Sequence, residues 1–417
     1  ATQQAAAITK ATQATGGYCL VLGLKDGALA EALAGQFTVI AIDPDAAKVN
    51  ALRRRLHGLG IYGSSISAHV GDPLTHSFPP FLADLVVTET PERFNAKAET
   101  VSFQNVFHAL RPYGGTACLS IPKADRAAWK KAAAATKTAR TSEDGKWLLL
   151  SRVGALPEAA DWSHAGGNAG NTGSSNDRFL RGPLGLLWYD GSIRWNRQPG
   201  RTEVRVAGGR IFVRADRMLA IDVFTGRRLW DRPLPRAAGS GAVGEFVAVE
   251  DTVYVAAGRA CLALDAATGE QHASFPMPDN IAGSLVHLRL WQDHLVGHLG
   301  KTVVCLDRKT GKLQWSFTAT RPQLSLAVGG GRAYVAELVD ARRGEKIEKS
   351  NVKTYAFEIA TGKEVWQAVG GTPARYSEPH DLLLTSAAIY KGKNGAIHRE
   401  FSVKDPKKQS WNYQSGG

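Results

Sequence analysis

The chain has 417 residues, 44% of them hydrophobic and 21% charged, an ordinary globular composition with enough length for two or three domains. No uninterrupted apolar run approaches the ~20 residues of a membrane-spanning helix. The four cysteines (Cys19, Cys118, Cys261 and Cys305) form no CxxC, CxxCH or adjacent pair, which excludes a zinc ribbon, c-type haem and a disulfide scaffold. The net charge of +13 points to an acidic partner or an anionic surface.

In chain order, the first 150 residues alternate strands and helices. A polar, Ala-rich helix is predicted over 2–15, ending at Gly16-Gly17, followed by the buried parallel strand Tyr18–Leu22. Gly23-Leu24-Lys25-Asp26-Gly27 then opens a helix over 28–34. The strand Phe37–Ile42 ends at Asp43-Pro44-Asp45, and a helix with a basic face runs over 46–59. Further strands are expected over 67–72, 83–88 and 116–121, with a helix over 103–110. Strand, glycine turn, helix, strand and acid make up the dinucleotide-type α/β layout, in which the acid after the second strand reaches ribose hydroxyls. Gly23 and Asp43 stand 20 residues apart, the spacing this motif requires.

The stretches TVIAIDPDAAKVNALRRRL, HVGDP, FLADLVVTE and LRPYGGTACLSI resemble the class I S-adenosylmethionine-dependent methyltransferase family over about residues 15–122. The resemblance implies a Rossmann-like methyltransferase fold with S-adenosylmethionine as cofactor. Its cofactor-contacting positions are Gly23, Lys25 and Gly27 in the first loop, Asp43 on the ribose and Asp72 near the adenine. In the family's acid-x-Gly-x-Gly-x-Gly loop, Val21 replaces the acid, which in the family helps hold the methionine ammonium, and Lys25 replaces the middle glycine, which works against close approach of a ligand to the backbone. No catalytic base is identifiable. Asp84, Glu89 and Glu92 near the fourth strand are read either as acceptor-binding groups or as solvated loop acids. His57, His69, His76 and His108 share no metal-ligand spacing.

After a helical or linker segment over 123–160, four segments share one pattern: an apolar strand, a second strand ending in an acid, a Thr-Gly turn and a third strand. Their turns are Asp222/Thr225/Gly226, Asp265/Thr268/Gly269, Asp307/Thr310/Gly311 and Glu358/Thr361/Gly362, with Trp230, Trp315 and Trp366 four residues beyond three of the glycines. A repeat of roughly 40–45 residues with strand alternation predicts a β-propeller over 161–417. The acid and Thr brace each turn, Gly supplies positive φ, and Trp packs between blades.

The A-x-D-x-x-T-G-x-x-x-W signature resembles the pyrroloquinoline-quinone-type (quinoprotein-like) propeller repeat. ADWSHAGGNAGNTGSSNDRF resembles the stretch before that family's first blade, and residues 378–401 a further, divergent blade. The family's propellers commonly have eight blades, so the expectation is an incomplete propeller or a smaller ring, with truncation favoured. The family's calcium ligands, catalytic Asp and neighbouring-cysteine disulfide have no counterparts here, so pyrroloquinoline quinone is not expected, nor is any metal or haem. His287, His294 and His298 are read as structural.

Eleven arginines lie between 194 and 236. Arg194, Arg197, Arg201, Arg205, Arg210, Arg214 and Arg217 give a basic face on the first blade, suited to an acidic protein or polyanionic glycan. The alternative is a solvated rim paired with Glu203, Asp216, Asp222 and Asp231. Nucleic acid is not expected, since interleaved aromatics are few. The expected architecture is therefore multidomain, α/β followed by all-β. Two functions stand open: methyl transfer with a propeller that recognises the acceptor, and a non-catalytic binding scaffold with a degenerate methyltransferase fold. The chain begins at Ala1, which fits a lost initiator Met or a removed signal peptide. A periplasmic or secreted location is expected, with the cytoplasm as the alternative.

Overall fold

The computed structural model describes residues 1–94, 99–189, 203–215, 217–234, 245–338, 352–371 and 374–400. The chain divides into two compact units. One comprises 1–159 with 178–191 and 222–227, the other 160–177, 192–221 and 228–417.

The first unit is built on a seven-stranded sheet of order β3-β2-β1-β4-β5-β7-β6. Its strands are β1 (Gly17–Leu22), β2 (Phe37–Asp43), β3 (Ile66–Val70), β4 (Leu85–Val87), β5 (Thr116–Leu119), β6 (Ala139–Asp144) and β7 (Trp147–Arg152). The first five are parallel, while β7 runs antiparallel to both β5 and β6. The stretch over 123–160, read from sequence as a helical or linker segment, supplies a helix and two strands of this unit. The helices are α1 (Thr2–Thr12), α2 (Ala28–Leu33), α3 (Ala46–Gly58), α4 (Glu99–Ala109) and α5 (Lys123–Ala134).

Strand alternation explains the layers. Cys19 and Val21 of β1 join Ile8, Leu29, Val49 and Leu52 in one core, while Leu20 and Leu22 join Phe103, Val106 and Trp129 in another. Helix α3 starts where Asp45 accepts hydrogen bonds from the N–H groups of Ala47 (2.8 Å) and Lys48 (3.3 Å), an N-cap ahead of an apolar-periodic run.

The second unit contains propeller-type, four-stranded antiparallel sheets, five of them among the described residues. Their first strands are Glu203–Ala207, Phe246–Ala248, Leu285–Trp291, Leu324–Gly329 and Arg375–Ser377, in blades I to V. Each blade's first strand packs beside that of the next. The turn acids work as the sequence predicts: Asp265 Oδ1 accepts from the N–H groups of Ala267 and Thr268, and Asp307 Oδ1 from those of Lys309 and Thr310.

The tryptophans link neighbouring blades. Trp230, Trp315 and Trp366 donate Nε1–H to the carbonyls of Ala266, Ile359 and Gly392 in the following blade. Each ring lies where a Cβ would project from Gly269, Gly362 or Gly395. These glycines have φ near 71°, so both the conformation and the space require Gly. In blade II, Phe275 fills the same place over Gly311.

Residues 162–171 form a strap that bonds to all five first strands in turn. Trp162 exchanges two 2.9 Å backbone bonds with Val206, and Ser163 C=O accepts from Ala248 N–H at 3.1 Å. His164 Nε2 accepts from Leu290 N–H at 2.9 Å. Ala169 and Gly170 carbonyls accept from Val328 (2.9 Å) and Tyr376 (2.7 Å), and Asn171 Nδ2 donates to Ala374 C=O at 3.1 Å. The strap thus satisfies strand-edge groups that would otherwise be left without partners.

Two buried histidines make this arrangement acid-sensitive. Burial, reinforced by the charges of Arg289 and Arg205, holds His164 well below the usual imidazole range, so Nε2 stays an acceptor. Burial and the neighbouring His287 hold His298 at about 4. The unfolded chain binds these protons near pH 6.5 and the native state only further down, so acid favours unfolding between those values. Lowering the pH from 7 to 4 is expected to lower the urea midpoint of this unit, with His298 alone contributing about 3 kcal/mol. His298→Gln should flatten the profile. A midpoint that does not move with pH would contradict it.

Candidate functional site

In an open α/β sheet, ligands bind at the carboxyl ends of the parallel strands where the strand order reverses. Here that point lies between β1 and β4. Loop 23–27 follows β1, Asp43 ends β2, and Thr88 to Thr90 follow β4.

The loop adopts the backbone its glycines permit, with φ of 82° at Gly23 and 78° at Gly27. Its carbonyls are held from α3: Lys48 Nζ donates to Leu24 C=O at 2.9 Å and Arg55 Nη2 to Asp26 C=O at 2.8 Å. Its N–H groups converge on Glu89. Oε2 accepts from Lys25 (2.8 Å), Asp26 (3.3 Å) and Gly27 (2.9 Å), and Oε1 from Leu29 (2.9 Å) and Ala30 (3.4 Å). Glu89 is half-buried and holds these N–H groups, a role that neither reading from sequence, acceptor-binding group or solvated acid, included. It is the internal counterpart of the loop.

Asp43 ends β2 with its residue fully buried. Oδ2 accepts from Leu24 N–H at 2.7 Å and Oδ1 from Asp45 N–H at 2.8 Å. The 20-residue spacing brings the acid to the loop, where its carboxylate braces the backbone. Thr90 closes the remaining approach: a Cβ on Gly23 would fall 1.8 Å from Thr90 Oγ1, a buried hydroxyl without a hydrogen-bond partner. Lys25 lends its N–H to Glu89, and the residue is exposed. Asp72 is exposed and accepts from Leu74 N–H at 3.0 Å, capping its own turn.

Asp84, read as lying near the end of the fourth strand, precedes β4 and so sits at the opposite end of the sheet. Its Oδ2 accepts from Tyr18 N–H at 3.0 Å. Burial pushes its carboxyl up, with Arg111 opposing the shift. Glu92 lies in the short turn Pro91–Arg93.

The arginine-rich region does not form one uniform face. Arg194, Arg197 and Arg201 lie outside the described residues, as does Asp216. Arg205 and Arg214 are buried. Arg210 is half-buried and donates Nη1 to the carbonyls of Gly208 and Glu250. Arg217 is exposed and paired with Asp231 at 2.5 Å.

The four cysteines are free and buried; burial pushes the thiols of Cys118, Cys261 and Cys305 up to about 12, which makes them unreactive core groups. His298 Nε2 lies 3.0 Å from His287 Nδ1. Among the described residues no cluster of three His, Cys, Asp or Glu side chains could hold a metal ion, and no helix is long and apolar enough to cross a membrane.

The acid-Thr-Gly turns, the tryptophan contacts and the strap define a repeat protein of the propeller class. The family model described as outer membrane protein assembly factor BamB matches residues 162–290 and 292–404, more than half of the chain, and the chain belongs to this family. The serine/threonine-protein kinase AfsK of Streptomyces griseus is 27% identical over 184 residues, 42% of this chain and 21% of the kinase. The chain thus spans about a fifth of that curated relative's length.

Among solved structures, BamB from Moraxella catarrhalis is similar at 13% identity, covering 47% of this chain and 62% of that one, with a TM-score of 0.35. A Methanococcus maripaludis protein described as an S-adenosyl-L-methionine-dependent methyltransferase is similar at 17% identity, covering 37% of this chain and 86% of that one, with a TM-score of 0.31.

Removing the Glu89 carboxylate leaves the loop's N–H groups without their acceptor. Glu89→Ala is expected to destabilise the first unit by about 2–3 kcal/mol, read as a lower urea midpoint with the second unit unaffected. An unchanged midpoint would mean that water replaces the carboxylate without cost.

Proposed function

We propose that this chain is a non-catalytic binding scaffold: the propeller engages an acidic partner, and the α/β unit keeps a methyltransferase-like fold without taking S-adenosylmethionine. The observation that carries this reading is the Glu89 carboxylate seated on three N–H groups of the loop and two of the first turn of α2. A carboxylate so placed contributes charge-assisted hydrogen bonds that an incoming ligand has to displace. The donor set does not fit the cofactor. Asp43 has both oxygens committed to backbone, Thr90 covers Gly23, and Val21 stands where the family carries an acid.

The second reading, methyl transfer by residues 15–122, is favoured by the position of loop 23–27 at the strand-order reversal. An extracytoplasmic location goes with the scaffold reading, because propellers of this type are frequent there and S-adenosylmethionine is scarce.

Calorimetric titration of the intact chain separates the readings. S-adenosylmethionine and S-adenosylhomocysteine at millimolar concentration are expected to give no heat, whereas polyglutamate should bind and weaken as salt rises. Micromolar S-adenosylmethionine binding that disappears in Asp43→Ala would overturn the scaffold reading in favour of the enzyme.

A further inference from the structure

Blade I holds two buried arginines in different circumstances. The hairpin of Glu203–Ala207 and Arg210–Arg214 pairs Glu203 with Arg214 and Arg205 with Phe212, which places all four side chains on one face. That face is turned to blade II, for Phe212 packs in one cluster with Phe246, Ala248 and Val253.

Each of the three side-chain nitrogens of Arg205 has an acceptor. Its Nε donates to Phe246 C=O at 3.2 Å, Nη1 to Val204 C=O at 2.7 Å and Nη2 to Glu203 Oε2 at 2.7 Å. The guanidinium also lies 4.8 Å from the centre of the Phe246 ring. Arg289 of blade III is treated alike, with Nε on Leu326 C=O and Nη1 on Glu245 and Leu288.

Arg214 is not. Its residue is 3% exposed, and both Nε and Nη1 lack any acceptor. Among the described residues it is alone in leaving two buried side-chain nitrogens open, and no described carboxylate lies within ion-pair distance of it. Glu203 is the nearby acid, but its Oε2 is held by Arg205.

Among the described residues the local balance is thus two guanidinium ions against one carboxylate. One positive charge and two donors are left over in a place where unpaired charge is costly. Burial lowers the Arg214 pKa only to about 10, so the charge persists at neutral pH.

We propose that Arg214, with Arg205 beside it, forms an oxyanion site between blades I and II whose ligand is a side-chain carboxylate of an acidic partner. This rests on the reading of the propeller as the binding unit. A carboxylate supplies the planar two-oxygen acceptor that a guanidinium fork matches. Its single negative charge balances the single positive charge left over, which a phosphate dianion would exceed. Glu203, with a side chain 37% exposed, marks the side from which such a group enters.

The test uses the intact chain, with labelled hexaglutamate followed by fluorescence anisotropy. In parallel, acetate, sulfate and phosphate at fixed ionic strength are followed by thermal shift. Arg214→Gln should weaken hexaglutamate binding about tenfold or more and abolish the acetate-dependent rise in Tm. Arg214→Lys, which keeps the charge and loses the fork, should fall between and serves if Arg214→Gln does not fold. Lys312→Gln, an exposed position on blade III, should change nothing.

Equal hexaglutamate binding by wild type and Arg214→Gln would overturn this site while leaving the scaffold reading intact. Binding of neither hexaglutamate nor acetate to the wild type would overturn both. Arg214-dependent stabilisation by sulfate or phosphate, without acetate or hexaglutamate, would replace the partner's carboxylate with a free inorganic anion and so overturn the assignment.

Discussion

Backbone polar groups at the ends and edges of strands must find partners, and this chain meets that constraint from within. In the α/β unit, the N–H groups of Leu24, Lys25, Gly27 and Leu29 end on Asp43 and Glu89, and the carbonyls of Leu24 and Asp26 on Lys48 and Arg55. In the propeller unit, the edges of the first strands end on the strap, on Arg205 and on Arg289.

The consequence for function is local. A crevice at a strand-order reversal becomes a cofactor site only if its donors and acceptors face outward. Here the loop glycines, the acid after β2 and the spacing are retained, while Asp43 and Glu89 both bond loop N–H groups. A fold of this kind does not by itself settle its site. The propeller unit shows the converse. Among its described residues, Arg214 alone leaves two buried side-chain nitrogens without an acceptor.

Much of this was legible from sequence. The strand of Tyr18–Leu22, the helix after Gly27, the acid at Asp43 and four of the propeller turns follow from apolar periodicity and from glycine and acid placement, which are local properties. The two strands over 139–152 were not recognised, because ARTSED and WLLLSR pair with β5 and with each other and nothing in their own alternation announces a place in the parallel sheet.

The role of Glu89 was equally hidden, since it follows from a loop some sixty residues earlier in the chain; the clue was the pairing of a lost acid at Val21 with an acid just after β4. The arginine-rich stretch misled in the other direction. Composition suggests a uniform basic face, whereas strand alternation turns Arg205 and Arg214 inward.

The central claim is that the loop carries its own counter-ion. Amide hydrogen exchange at Lys25, Gly27 and Leu29, measured with and without S-adenosylmethionine, tests it most directly. The account predicts slow exchange in the free protein and no change on adding the cofactor. Fast exchange in the free protein, with protection appearing only when the cofactor is added, would contradict it.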